Sequence, residues 1–235
     1  MKRGQISVFI IIGIVIILGT LIYIFMSSPP GIEQPNNIDL TPASSHTKDC
    51  VRKTAIDAVK IIGKQGMISP TAYLVSKDTK IAYYYFKGKS FFPPLTTLEQ
   101  EIETYIRENI DVCVLDLKGN NLGIRSVKVS SLNISIQDEV EINFIGSINI
   151  RDDITNATFD AVIDSNLGKM NKAAEEIIKD TQADPEWINL EGIAGMDSKI
   201  IKIDSSTLVY VLSDPTGLEG ETYNLMFGMK YDFGK

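Results

Sequence analysis

The chain has 235 residues, of which 44% are hydrophobic and 23% are charged, and its formal net charge at pH 7 is −7. This length is enough for one domain, or for two small domains, with a sizeable core. Nucleic acids attract basic surfaces, so we expect no nucleic-acid partner for an acidic chain, and solubility is the simpler explanation of the negative charge.

An uncharged apolar run extends from Ile6 to Met26 and includes nine isoleucines among its 21 residues. As a helix that rises about 1.5 Å per residue, it would be roughly 31 Å long, which matches the hydrocarbon thickness of a bilayer. We therefore predict that residues 6–26 form a transmembrane helix in contact with lipid. The N-terminal region, residues 1–27, is then a short cytoplasmic stub followed by this helix.

The charges around this run predict its orientation. Lys2 and Arg3 precede the run, whereas the eight residues after it carry one charge, that of Glu33. Positive charge is retained in the cytoplasm, so we expect the N-terminus inside the cell and the rest of the chain outside the cell membrane. The run exceeds the core of a cleaved signal peptide, about 7–15 residues, and Phe25 and Met26 occupy positions where cleavage needs small side chains. We therefore expect a retained anchor.

Residues 28–45 are predicted to form a linker because proline recurs among them. This stretch contains four prolines: Pro29, Pro30, Pro35 and Pro42. Such a composition does not support a helix and predicts a semi-rigid spacer that lifts the following domain off the membrane. The extracellular domain is then expected to comprise residues 46–235.

Three amphipathic helices are predicted in this domain. Apolar residues recur at helical spacing over residues 47–62, and Gly63 and Gly66 follow, where a left-handed C-terminal residue is expected. A second helix is predicted to begin near Thr96, whose spacing to Glu99 is that of a capping box. Ser165 is predicted to cap a third helix with one apolar face.

Alternation of apolar and polar residues predicts strands in the remainder of the domain. It is most regular over residues 125–164, as expected for antiparallel strands with one buried face. Further strands are predicted over residues 71–76, 81–86, 199–203, 207–212 and 222–233. The predicted class is therefore α+β, with a mostly antiparallel sheet and about three helices.

Cys50 and Cys113 are the two cysteines of the chain, and both fall on predicted helices. Two cysteines in an exported domain favour one disulfide, although two separate buried thiols remain an alternative. A metal site would need further ligands. His46, the one histidine, would share a helix face with Cys50 in a Cys–His pair, but its place beside the linker predicts an exposed side chain.

Adjacent carboxylates occur at Asp138-Glu139, Asp152-Asp153 and Glu175-Glu176. Paired carboxylates can bind calcium or act as the acid and base of a glycosidase. These pairs fall at predicted turns or on the polar face of a helix, where solvated charge is the usual role. We predict no catalytic residue, no metal ligand and no cofactor site from the sequence.

An aromatic cluster is a candidate contact patch. Tyr83, Tyr85, Phe91 and Phe92 belong to a stretch interleaved with lysines, and Tyr83 and Tyr85 would share one face of a strand. That face would be a contact surface if exposed. The favoured interpretation is that the strand is covered on both faces and contributes to the core.

Two glycosylation sequons fall on the exported side. They begin at Asn133, in Asn-Ile-Ser, and at Asn156, in Asn-Ala-Thr. Such short motifs permit modification without requiring it.

The N-terminal residues resemble a known export signal, the class III signal of archaeal type IV pilin-like proteins. In that signal a basic stretch and a glycine precede Q-x-S-x-E and an apolar helix. The residues that carry the resemblance are Lys2, Arg3, Gly4, Gln5 and Ser7. Phe9 stands where the signal has a glutamate implicated in subunit assembly, and this departure bears on filament formation and on processing after Gly4.

The first half of the chain also resembles a group of single-pass membrane proteins from small-genome archaea. In that group a cysteine-bearing helix leads to a Gln-Gly turn, a Tyr-Tyr strand and a second cysteine helix. Gln65-Gly66, Tyr83-Tyr84 and Cys113 follow the same order. The likeness covers residues 2 to about 115 and implies an envelope location without a particular activity.

Taken together, these features favour a membrane-anchored cell-envelope protein with a structural or interaction role. Its expected partners are lipid and either another envelope protein or a second copy of itself. A pilin-like filament subunit is one alternative, against which the proline-rich linker and Phe9 count. An exported enzyme whose site residues are scattered along the chain is another.

Overall fold

The computed structural model describes residues 42–76, 79–184 and 196–232. Within these ranges no helix is both long enough and apolar enough to cross a membrane. The predicted transmembrane helix over residues 6–26 and most of the predicted linker, residues 28–41, lie outside the described residues. The residues of the pilin-like signal also lie outside them: Lys2, Arg3, Gly4, Gln5 and Ser7.

Four helices and nine strands make up the described part of the chain. The helices are α1 (Pro42–Gln65), α2 (Leu95–Val114), α3 (Leu117–Leu122) and α4 (Leu167–Ala183). The strands are β1 (Tyr73–Ser76), β2 (Thr79–Phe86), β3 (Lys89–Ser90), β4 (Ile124–Ile136), β5 (Val140–Ile150), β6 (Asp153–Ile163), β7 (Asp197–Lys202), β8 (Thr207–Leu218) and β9 (Glu221–Lys230). The predicted α+β class is confirmed, and α1, α2 and α4 correspond to the three predicted helices.

The strands form two sheets. The larger sheet has the order β1-β2-β9-β8-β7, with the short β3 paired to β2, and the smaller has the order β4-β5-β6. All neighbours are antiparallel except β2 and β9, which run parallel. The predicted, mostly antiparallel arrangement is therefore confirmed. In the smaller sheet, Phe144 of β5 lies opposite Phe159 of β6, and their rings stack with centroids 4.6 Å apart.

Helix α1 lies against both sheets. Its apolar residues recur at intervals of three and four, so they form one stripe along the helix, and Val51, Ala55, Val59 and Ile62 are fully buried. The helix contacts β2 and β9 of the larger sheet, β5 and β6 of the smaller sheet, and α2. One hydrophobic core therefore joins the helices to both sheets.

Helix α1 begins at Pro42, inside the predicted linker over residues 28–45. Proline is tolerated in the first turn of a helix because the N–H that it lacks would have no partner there. Ala43 and Ser44 of this turn are buried, so tertiary packing extends the helix into a stretch whose proline content predicts a spacer.

The predicted capping box at the start of α2 is wrong. The residue before the helix is Pro94, and no side chain caps the first turn. The carboxylate of Glu99 instead accepts a hydrogen bond from the backbone N–H of Ile136, at 2.9 Å. A capping box would use that carboxylate for the N–H of Thr96, but α2 packs against β4 and the end of the strand supplies a competing donor.

The other predicted helix ends are close to the observed ones. Of the two glycines predicted at the end of α1, Gly63 lies inside the helix, because the helix continues to Gln65. Gly66 follows it with a φ of 79°, and its N–H donates to the carbonyl oxygen of Ile62 at 2.6 Å, as a left-handed C-terminal glycine does. Before α4 the cap position is Asn166, and the neighbouring Ser165 hydroxyl accepts a hydrogen bond from the N–H of Leu167 at 3.2 Å. The predicted cap is thus displaced by one residue.

Aromatic side chains connect the larger sheet to α1. Tyr84 of β2 stacks on Phe227 of β9 with centroids 4.7 Å apart, and Phe227 stacks on Tyr210 of β8 at 5.4 Å. The hydroxyl of Tyr84 donates to the carbonyl of the residue that follows α1, at 2.7 Å, and that of Tyr223 donates to the carbonyl of Val59 at 2.9 Å. These phenols provide apolar area together with a satisfied polar end.

The approach of α1 to β9 depends on Gly63. A Cβ at this position would lie 2.6 Å from the carbonyl oxygen of Asn224 and 2.6 Å from the Tyr223 ring. We expect Gly63→Ala to lower the free energy of unfolding by about 1–3 kcal/mol, the usual cost of overpacking, although alanine favours helices. Urea unfolding measures the change. Lys60→Ala, at an exposed position of the same helix, is the control and should change stability by less than about 0.5 kcal/mol. Equal stability of Gly63→Ala and the wild type would contradict this close approach.

Burial gives three tyrosines a raised pKa. Tyr84, Tyr210 and Tyr223 lie in the core, and the lost solvation of the phenolate, the main cause, raises the pKa of each above its ordinary value of 10.0. In the unfolded chain the same phenols ionise near pH 10, whereas in the folded chain they stay neutral to higher pH. Ionisation therefore favours the unfolded chain above about pH 10, and the stability of the fold is fully present only below that pH. We expect the free energy of unfolding to fall as the pH rises above this value.

Urea unfolding at a series of pH values, with phenolate absorbance recorded in parallel, tests this expectation. Tyr223→Phe is the informative variant, because it loses the hydrogen bond to Val59, worth about 1 kcal/mol, but also removes one ionisable group. Its stability should therefore decline less steeply in alkali than that of the wild type. Ionisation of every tyrosine in the still-folded protein would contradict the burial argument.

Candidate functional site

The two cysteines form a disulfide, as predicted. Cys50 of α1 and Cys113 of α2 are bonded across the contact between these helices, with their Cα atoms 5.6 Å apart and a sequence separation of 63. The two helices contact each other, and Cys50 lies within the hydrophobic core, whereas Cys113 is half-buried against it. The bridge therefore joins two helices that already pack together.

A buried histidine adjoins the bridge. The Nε2 atom of His46 lies 3.9 Å from the Sγ atom of Cys50 and 3.3 Å from the Oδ1 atom of Asp116. The prediction that His46 is exposed is wrong, because only 4% of the residue is accessible. The extra turn at the start of α1 explains the difference, since it carries His46 into the packed part of the helix, one turn before Cys50.

The loop between α2 and α3 places Asp116. This residue caps α3, and its Oδ1 atom accepts a hydrogen bond from the N–H of Gly119 at 2.9 Å. That bond is the main cause of the lowered pKa of Asp116, and attraction to His46 and Lys118 adds to it. Gly119 itself has no room for a side chain, because a Cβ there would lie 3.3 Å from the His46 Nε2 atom and against the carbonyl of the last residue of α2.

A cleft of about 290 Å³ opens beside the bridge, and we call it the disulfide cleft. Cys113 and Asp116 are among its lining residues, whereas Cys50 is buried, with 2% of its surface accessible. The other residues that line the cleft are Lys53, Thr54, Asp57, Tyr105, Asn109 and Val112. A small molecule or a side chain from solvent can therefore approach one sulfur of the disulfide and not the other.

Asp116 is the functional residue that sequence reasoning missed. An Asp followed by a short helix with Gly123 after its last residue is an ordinary cap signal, and the structure shows both ends of α3 as such a signal predicts. The signal would have identified a short helix here. It would not have identified His46 as the neighbour of the carboxylate, because the two residues are separated by 70 positions in the chain.

The predicted pairs of acidic residues lie at the surface. Asp138-Glu139 and Asp152 lie in the connections on either side of β5, Asp153 is the first residue of β6, and the third pair lies towards the exposed side of α4. Asp152 lies 3.5 Å from Arg125 and Glu175 lies 2.8 Å from Lys179, so basic neighbours balance two of these charges. Within the described ranges, no three His, Cys, Asp or Glu side chains are grouped closely enough to hold a metal ion.

The predicted aromatic contact patch is divided by the fold. Tyr83 and Tyr85 are buried, Phe92 is half-buried against the core, and Phe91 is 39% accessible. Tyr83 packs in a second apolar cluster on the larger sheet, where its ring meets Phe86 edge-on with centroids 5.0 Å apart. Coverage on both faces of β2 thus agrees with the favoured interpretation, and Phe91 is the exposed member of the four.

Both sequon asparagines are exposed. Asn133 lies on β4 and Asn156 on β6, in strands whose alternate residues are buried. The Nδ2 atom of Asn133 lies 3.5 Å from the Oδ1 atom of Asn143, at the limit of a hydrogen bond, so little holds it away from solvent. Glycosylation of these residues stays a prediction.

Comparisons with models of protein families, with curated proteins and with solved structures found no match to this chain. We therefore infer its function from its own residues and their geometry.

Removal of the bridge is expected to destabilise the domain. Closing a loop of this length contributes about 4 kcal/mol when only the entropy of the unfolded chain is counted. At roughly 2–4 °C per kcal/mol for a domain of this size, the double variant Cys50→Ala/Cys113→Ala should melt about 8–16 °C below the wild type. Thermal unfolding without reductant measures the difference.

The same variant provides the control for reductant. Adding a thiol reductant should lower the melting temperature of the wild type and leave that of the double variant unchanged. Two thiols that react in the native, unreduced wild type would contradict the bridge.

Proposed function

We propose that the protein is a membrane-anchored cell-envelope protein, held in the membrane by residues 6–26, with its α+β domain on the outer side. In this proposal the domain has a structural or interaction role. The observation that carries the proposal is the Cys50–Cys113 disulfide in the domain that follows the apolar run.

The disulfide supports export because of where such bonds persist. The cytosol keeps thiols reduced in most organisms, whereas exported proteins are exposed to oxidising surroundings. The bridge here joins two packed helices across 63 positions of sequence, and closing a loop of this length stabilises the fold. An exported location favours formation of the bridge.

The apolar run supports anchoring independently of the disulfide. Its 21 residues include no charge. Lys2 and Arg3 precede it, as expected for the cytoplasmic end of a membrane helix. All 30 acidic residues follow the run, so the domain that it would tether is the acidic part of the chain. The negative charge keeps such a domain soluble beside the membrane.

Charged residues placed in the middle of the run test the anchor. Each lysine near the centre of a membrane helix costs roughly 3 kcal/mol on insertion scales, so Ile14→Lys/Ile17→Lys should move the protein from the membrane fraction to the soluble fraction. Ile14→Leu/Ile17→Leu is the matched control and should stay with the membrane after an alkaline carbonate wash. Release of the unaltered chain by the same wash would refute the anchor.

The orientation is tested with single added cysteines in intact cells. A membrane-impermeant maleimide should label Lys172→Cys, on the exposed side of α4, without permeabilisation. Lys2→Cys should be labelled after permeabilisation only. The reverse pattern would place the domain in the cytoplasm and overturn the proposal.

A further inference from the structure

We infer that the Cys50–Cys113 bridge is a thiol–disulfide exchange site, opened by a thiol that enters the disulfide cleft and attacks Cys113, with the His46 imidazole stabilising the departing Cys50 thiolate. This inference concerns the chemistry of the bridge and does not depend on the location of the domain.

The two sulfurs differ in access. Cys113 lines the disulfide cleft and is half-buried, whereas Cys50 is 2% accessible and faces the core. Exchange begins when a thiolate attacks one sulfur and displaces the other, so access decides which sulfur is attacked. Attack from the cleft makes Cys113 the site of the mixed disulfide and Cys50 the leaving group.

The environment of the leaving group is suited to a thiolate. The Nε2 atom of His46 is 3.9 Å from the Cys50 Sγ atom, and the carboxylate of Asp116 lies 3.3 Å from the same nitrogen. A cationic imidazole beside a cysteine favours the thiolate and speeds its departure from a disulfide. The Asp116 carboxylate is a suitable charge partner for an imidazolium at this distance, and burial of His46 holds the ring in place.

The reaction balances with a thiol as the reductant. A thiolate RS⁻ forms a bond to the Cys113 Sγ atom, the Cys50–Cys113 bond breaks, and its electron pair goes to Cys50 Sγ. Cys50 leaves as a thiolate beside the His46 imidazole and then takes a proton from solvent. A second thiol then attacks the mixed disulfide, releasing RSSR and the Cys113 thiol. Two thiols are oxidised and the bridge is reduced.

Charged groups lie on both sides of the site. Asp116 lies beside His46 at the start of α3, and Lys53 and Asp57 line the cleft from α1. Lys53 is the one cation among the residues that line the cleft. The carboxylates of Asp57 and Asp116 repel a thiol that carries additional negative charge. A small neutral thiol such as β-mercaptoethanol is therefore the appropriate probe.

The first test locates the mixed disulfide. The full chain, purified in detergent, is exposed briefly to β-mercaptoethanol, quenched with acid and analysed by peptide mass spectrometry. The inference predicts the adduct on Cys113. An adduct on Cys50, or equal adducts on both cysteines, would overturn it.

The second test uses the direction of a rate change. We expect His46→Gln to slow the opening of the bridge by about tenfold, because exchange depends on the acidity of the leaving thiol. A purely structural role predicts the opposite, since a destabilised domain exposes its disulfide more often and is reduced faster. Gly63→Ala is the matched control, because it is destabilised at the far end of α1 and retains His46. An unchanged or faster rate of bridge opening in His46→Gln would refute the inference.

The third test observes the thiolate directly. In the reduced Cys113→Ser variant, Cys50 is the remaining thiol, and its ultraviolet thiolate absorbance should appear at lower pH with His46 present than in the His46→Gln background. Coincident titrations would remove His46 from the reaction.

Discussion

The buried face of α1 is the constraint on which the rest of this fold depends. Each sheet would leave an apolar face open to water by itself, and α1 fills the space beside both of them. The fit is close where Gly63 meets the backbone of β9 and where the Tyr223 hydroxyl reaches a carbonyl of the helix. Because both sheets pack on the same helix, an error in the placement of α1 would disturb both.

The disulfide also constrains α1, because it bonds this helix to α2. It fastens α1 to α2 in the first half of α1, whereas Gly63 lies in the last turn, so the helix is held by a covalent bond in one half and by close packing in the other. The position also leaves one sulfur in the core beside His46 and the other at the disulfide cleft. A bridge that stabilises the fold therefore has the asymmetry that directed exchange requires, and the two properties come from one helix contact.

The two sheets present different outer surfaces. On the smaller sheet, exposed polar side chains alternate with buried apolar ones, and Asn133, Asn143 and Asp160 lie side by side across its three strands. On the larger sheet, Leu74, Ile81, Tyr83 and Val209 form a second buried cluster on the face turned away from the main core. The parallel pairing of β2 with β9 places β2 inside the larger sheet, which is why its tyrosines are buried instead of forming a contact patch.

The sequence by itself determined the class of the domain and its antiparallel hairpins, indicated the end of α1 to within one turn, and favoured the pairing of its cysteines. Each of these follows from local periodicity, from one residue type at a turn, or from there being two cysteines to pair. Only the tertiary structure decided that His46 is buried, that Glu99 bonds to β4 instead of capping α2, and that Asp116 meets His46. These three facts depend on contacts between residues 37 to 70 positions apart, which no local pattern encodes. The physical reason is that a polar side chain takes whichever partner packing brings to it.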